Sequence, residues 1–125
     1  MRILGFSKKW DKLEQDEFTT FRFPRRDKDW YIGEKVQVKI KPRQKGGGVF
    51  VGIALIIDKR LRRIDRFRGV ATIPYMGFLT EEEVVRDGFQ NAKDMLDWLQ
   101  KSYGNDDRWV FSEPMNKLTL RWFSH

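Results

Sequence analysis

Between Glu34 and Pro42 hydrophobic and polar residues alternate without a break: Val36, Val38 and Ile40 fall on one side, Lys35, Gln37, Lys39 and Lys41 on the other. A period of two predicts a strand with one face on the core and a ladder of positive charge on the other. A second alternation runs through QDEFTTFRF, Gln15 to Phe23. As a strand it puts Thr19, Phe21 and Phe23 on one face and Phe18, Thr20 and Arg22 on the other. Val49 to Ile57 is apolar on both faces and rich in β-branched residues, which predicts a central strand, and Gly52 inside it predicts a bulge or bend. Ile3 to Phe6 is a short apolar run that opens a further strand. After it, Ser7 can cap a short helix that carries Trp10 and Leu13 on one face.

Connections follow from the breakers. Pro24, Arg25, Arg26, Asp27 and Lys28 form a basic loop, and Gln44 to Gly48 reads as a flexible hairpin-like connection. Asp58 to Gly69 has Leu61, Ile64 and Phe67 at every third position, a spacing that fits neither strand nor helix, and reads as a strand end plus a basic loop. Thr80 followed by Glu81, Glu82 and Glu83 is a capping box, and Asp87-Gly88 ends that short helix. Ala92, Met95, Leu96, Leu99 and Tyr103 make one stripe of a longer helix, stopped at Gly104 to Asp107. Two closing strands are expected, Arg108 to Phe111 and Lys117 to Phe123. Strands in runs with segregated helices define an α+β class, and the bends predict a small barrel with two to three flanking helices.

Composition narrows the chemistry. The chain has 125 residues, which suits one domain spanning 1–125, with no internal repeat. It has no cysteine and one histidine, His125, so thiolate chemistry, histidine general bases and multi-histidine metal sites are excluded and neither metal nor cofactor is expected. Lys and Arg number 25 against 18 acidic residues, a formal charge of +7, which predicts attraction to a polyanion such as RNA. No apolar run reaches the roughly 20 residues of a membrane span, and the opening MRILGFSKKW is charged too soon for a secretory signal. A cytoplasmic protein is expected.

The ordered set of Ile3-Leu4-x-Phe6 with Trp10, Phe18 to Arg22, Ile32-Gly33-Glu34-x-Val36-x-Val38, Thr80-Glu81-Glu82, Asp87-Gly88-Phe89 and the helix through Met95 and Leu99 to Tyr103 resembles an ASCH domain of the PUA-like superfamily. The resemblance covers nearly the whole chain. It implies a small β-barrel with flanking helices and RNA-related binding in a cleft between them. Some compact members resemble amidohydrolases of acylated cytidine nucleosides, and others are linked to RNA cleavage. The family signature Gly-x-Lys-x-x-Thr-x-Arg, laid on this chain, runs from Gln15 to Arg22. Thr20 and Arg22 match, whereas Gln15 and Glu17 stand where the family has glycine and lysine. The resemblance lets Asp87 stand for the distant carboxylate of the hydrolytic members, but Glu17 cannot supply their cation, which argues against amide hydrolysis by that machinery.

Three functions are open on these residues. The first is an RNA- or nucleotide-binding module. Thr20 and Arg22 would contact a base or phosphate, and the arginines Arg60, Arg62, Arg63, Arg66 and Arg68 would grip the backbone, because a guanidinium suits bidentate phosphate contact. Arg25, Arg26, Lys39, Lys41 and Arg43 would add phosphate contacts, and Trp30 a stacking surface. The second is a hydrolase, either a ribonuclease or an acylated-nucleoside amidohydrolase, with Glu17, Thr20 and Asp87 as its catalytic groups. The third is a protein-interaction module whose basic surface meets an acidic partner.

Overall fold

The computed structural model describes residues 1–64 and 77–124. Among these residues five strands make one sheet: β1 (Ile3–Phe6), β2 (Glu17–Arg22), β3 (Lys35–Ile40), β4 (Val49–Arg62) and β5 (Met115–Ser124), in the spatial order β1-β3-β4-β5-β2. β1 runs parallel to β3, and every other pairing is antiparallel. β4 is long enough to serve two neighbours in turn, β3 along its first half and β5 along its second. The register slips opposite Gly52, leaving Val51 as an extra residue, and slips again between Ile56 and Asp58. Each slip bends the strand and raises its twist. The sheet curls into a half-barrel in consequence, with β1 and β2 as its two edges.

Among the described residues three helices follow β4: α1 (Glu81–Arg86), α2 (Ala92–Tyr103) and α3 (Asp107–Val110). The capping box of α1 forms in both directions, Thr80 Oγ1 accepting from the Glu83 N–H and the Glu83 carboxylate accepting from the Thr80 N–H. Gly88 follows at φ +109°, the left-handed turn that a side chain would resist. Among the described residues, no helix is long and apolar enough to cross a membrane.

Two local expectations are corrected. Arg108 to Phe111 is not a strand: residues 107–110 form α3, whose N-terminus is capped by the Asp106 carboxylate accepting from the Arg108 N–H at 2.9 Å. The β-forming run Trp109-Val110-Phe111 gives way because helical geometry buries Trp109 and lets its Nε1 donate to Gln100 at 2.8 Å. Nor does Ser7 cap a helix. The segment after β1 is a 3-10 turn, Asp11–Glu14, with Trp10 at the cap position and no side-chain cap. The strand end expected near Asp58 extends to Arg62.

Apolar residues fall into two cores on opposite faces of the sheet. The inner one collects Phe6, Phe18, Val36, Val38, Ile56 and Leu118 among others. The outer one, under the helices, collects Phe21, Phe23, Val84, Met95, Leu99 and Trp109 with their neighbours. β2 feeds both: Phe18 points inward while Phe21 and Phe23 point at the helices. Both faces of β2 are therefore covered, and its buried residues run without a gap from Phe18 to Phe21.

Candidate functional site

β2 is an edge strand, so one side of its backbone looks across to β1, the other edge, and to α2. A cavity of about 210 Å³ occupies that gap. β1 and the turn after it contribute Gly5, Phe6 and Ser7, β2 contributes Thr20 and Arg22, and α2 contributes Trp98, Ser102 and Tyr103. Lys12 and Asp87 complete the polar side. The volume is below the roughly 300–1,000 Å³ of a pocket that encloses a drug-sized ligand, and it suits a single planar ring.

Arg22 spans the gap between the sheet's edges. Its Nη1 donates to Thr20 Oγ1 at 2.6 Å and to the Phe21 carbonyl at 3.0 Å, while Nη2 reaches the Gly5 carbonyl of β1 at 2.8 Å. The guanidinium also lies 5.0 Å from the centre of the Phe6 ring. No carboxylate pairs with it among the described residues. Burial lowers its pKa from the usual arginine value, opposed by Tyr103 and Asp87. Its charge is thus held by carbonyl and hydroxyl dipoles inside a half-closed space, with the cavity on its open side.

Beside it sits a group that sequence patterning did not single out. Lys12 Nζ donates to Asp87 Oδ1 at 3.1 Å, and Thr19 Oγ1 donates to the same oxygen at 3.0 Å. Both charged side chains are buried. Burial pulls Lys12 down and pushes Asp87 up, and in each case the partner's charge acts against the shift. Such a pair stores opposed charges in a medium where their mutual attraction is strong but their desolvation is costly. Lys12 was masked by its setting: flanked by Asp11 and Glu14, it reads as a solvated residue, and only Trp10 and Leu13 on either side hint that the turn docks on apolar surface.

Other expected site residues are dispersed. Glu17 is exposed, pairs with Arg121 at 3.6 Å and lines a different hollow with Gln15, Thr19 and Arg86. Trp30 is buried in the inner core, with the guanidinium of Arg2 4.5 Å above its ring. Aromatic rings on the cavity wall include Trp10, Phe89 and Trp98, packed edge to face with Trp10 centred 5.2 Å from Phe89 and 5.1 Å from Trp98. Lys8 Nζ lies 4.0 Å over Trp10.

Three arginines away from the cavity have acidic partners close by. Arg60 pairs with Asp58 at 3.0 Å, Arg62 with Glu83 at 2.8 Å, and Arg25 with Asp27 at 3.2 Å. Arg25 and Arg26 line a separate hollow with Leu61 and Arg108. Arg63 is exposed next to its bridge with Phe78, and Lys39 is half-buried on β3. Lys41 and Arg43 are exposed in the connection from β3 to β4. Arg66 and Arg68 lie outside the described residues. Among the described residues no cluster of three acidic or histidine side chains could hold a metal ion.

Comparison with known proteins returns no matching family model, no matching curated protein and no matching solved structure. The site therefore rests on its own geometry.

Proposed function

We propose that this protein is an RNA- or nucleotide-binding module of the ASCH type, PUA-like in fold, that receives one unpaired base in the cavity between the edge of the half-barrel and α2. One observation carries the reading: a partly enclosed guanidinium, Arg22, faces a ring-sized cavity that is polar on one side and aromatic on the other. Aromatic faces hold bases by stacking, worth about 1–3 kcal/mol per base. Arg22 and the Lys12–Asp87 pair supply donors and an acceptor for the edge of that base or its phosphate. The surplus of basic residues draws the polyanion in, and a cysteine-free chain suits the cytoplasm.

The test is a titration against single-stranded RNA, duplex RNA and duplex DNA at two salt concentrations, beside Ser102→Trp. Ser102 is exposed at the cavity wall and belongs to neither core, so a larger ring there occupies the cavity from its rim without replacing a core residue. Salt-sensitive binding that prefers single strands and falls in Ser102→Trp supports the reading. Equal binding to all three nucleic acids, indifferent to Ser102→Trp, rejects it and leaves a basic surface of the protein-interaction kind.

A second reading, hydrolysis of the bound nucleotide, is favoured by the contact between Lys12 and Asp87 next to Thr20. Burial pushes both groups towards their neutral forms, which suits proton transfer. In that case the cation comes from Lys12, and Glu17, outside the cavity, takes no part. Incubation with acylated nucleosides and with RNA, followed by product analysis, tests it: turnover lost in Asp87→Asn while RNA is still bound supports hydrolysis, and no turnover by the unaltered protein rejects it.

A further inference from the structure

The cavity does not end at Arg22. A wider hollow of about 800 Å³ continues outward, and the two share Gly5, Phe6, Ser7, Arg22 and Tyr103. Its outer wall is the connection after β3, where Lys41 and Arg43 flank Pro42. No acidic residue lines this hollow, and neither Lys41 nor Arg43 makes an ion pair among the described residues. That separates them from Arg25, Arg60 and Arg62, each of which sits beside an acid.

Nor is the wall a loose surface loop. The Lys41 N–H donates to the Phe6 carbonyl at 2.7 Å, Lys41 holds φ at +52°, and its carbonyl accepts from the Gln44 N–H at 3.1 Å. Pro42 lies so close to β1 that a methyl group on Gly5 would stand 2.7 Å from its Cγ. The backbone that carries Lys41 and Arg43, neither of them ion-paired among the described residues, is thus held at the rim of a hollow that Arg22 also lines.

We propose that the ligand is a single strand of RNA rather than a free nucleotide, and that its backbone leaves the cavity past Arg22 and follows the groove under Lys41 and Arg43. A lone nucleotide would fill the inner cavity and leave empty the larger part of the groove, whose charged lining residues, Arg22, Lys41 and Arg43, are all cations. A duplex would have to break a pair and a stack before one of its bases could enter between β2 and α2. The proposal rests on the reading of the inner cavity as a base site, and the experiment separates the two.

The experiment measures binding of four nucleoside monophosphates, an eight-nucleotide single-stranded RNA and the corresponding duplex, using the unaltered protein, Lys41→Glu with Arg43→Glu, and Ser102→Trp. The single strand is expected to bind at least about tenfold tighter than any monophosphate, as added phosphate contacts require. The double charge reversal removes most of that excess and lowers the slope of log affinity against log salt by about 1.4, two contacts at about 0.7 each. It costs the monophosphates far less. Equal affinity for monophosphate and strand, or a strand affinity and salt slope untouched by the reversal, overturns the groove while leaving the cavity intact. Strand binding that is lost on reversal but indifferent to Ser102→Trp overturns the base site itself.

Discussion

Lys12 Nζ meets Asp87 Oδ1 at 3.1 Å, joining a turn next to β1 to the C-terminus of α1, 75 residues further along the chain. The contact fixes the floor of the cavity, since both residues line it. Asp87→Ala leaves the ammonium buried without a counter-charge and is expected to cost about 3–5 kcal/mol. Lys12→Met combined with Asp87→Asn removes both charges and keeps an acceptor for Thr19. It is expected to recover most of that loss, and urea denaturation of the two variants checks the difference.

Glu83 predicts the acid limb of the stability profile. Burial by itself would raise its pKa, but hydrogen bonds from Lys117, Arg62 and the Thr80 N–H outweigh it and hold the carboxyl below the ordinary glutamate value of 4.5. A folded value below the unfolded one means that the unfolded chain takes up the proton first. The stabilisation is therefore complete above pH 4.5 and disappears as the pH falls through the folded value. Glu83→Gln should be less stable than the unaltered protein at pH 7, with the gap narrowing on acidification, as measured by denaturant midpoints at a series of pH values.

Gly48 closes the connection between β3 and β4 at φ +74°, and a methyl group there would lie 2.2 Å from the Ile40 carbonyl oxygen and 2.5 Å from that of Lys41. Backbone atoms cannot move aside as a flexible side chain can. Gly48→Ala is expected to lower stability by about 1–3 kcal/mol. Gly47, at φ +79° with nothing within 4 Å, carries only the conformational cost of about 1–2 kcal/mol. Thermal melts that rank the two substitutions in the opposite order would contradict this account.

Gly5→Ala acts on the groove. Its methyl group would press on Pro42 and push the segment with Lys41 and Arg43 away from β1. The expected result is a several-fold loss of single-stranded RNA affinity, with a smaller change for a nucleoside monophosphate. Parallel titrations of the two ligands measure it.

Local signals were legible in the chain. The capping box at Thr80, the stripe of α2 and the alternation of β3 are set by residues within a few positions of one another, and each forms as patterned. The strand pattern of β2 also put Thr20 and Arg22 on one face, where Arg22 now bonds Thr20. Long-range facts were not legible. Lys12 is buried only because Asp87 and Thr19 meet it from distant elements, and Trp30 is a core residue only because Arg2 and the inner face of the sheet enclose it. α3 defeated the local reading of Trp109 to Phe111 because packing against α2 outweighs β propensity in a four-residue segment.

The strand order also sets a schedule for assembly. Among the described residues β2 has a single ladder partner, β5, which lies far along the chain, Phe18 opposite Leu120. A growing chain can form the β3–β4 hairpin with β1 alongside as soon as those residues are made, but β2 has no neighbour until β5 is synthesised. Such distant pairing slows folding. Thr20 and Arg22 therefore stay unplaced until β5 is synthesised, and a copy cut short before Met115 lacks the strand that holds this wall of the cavity.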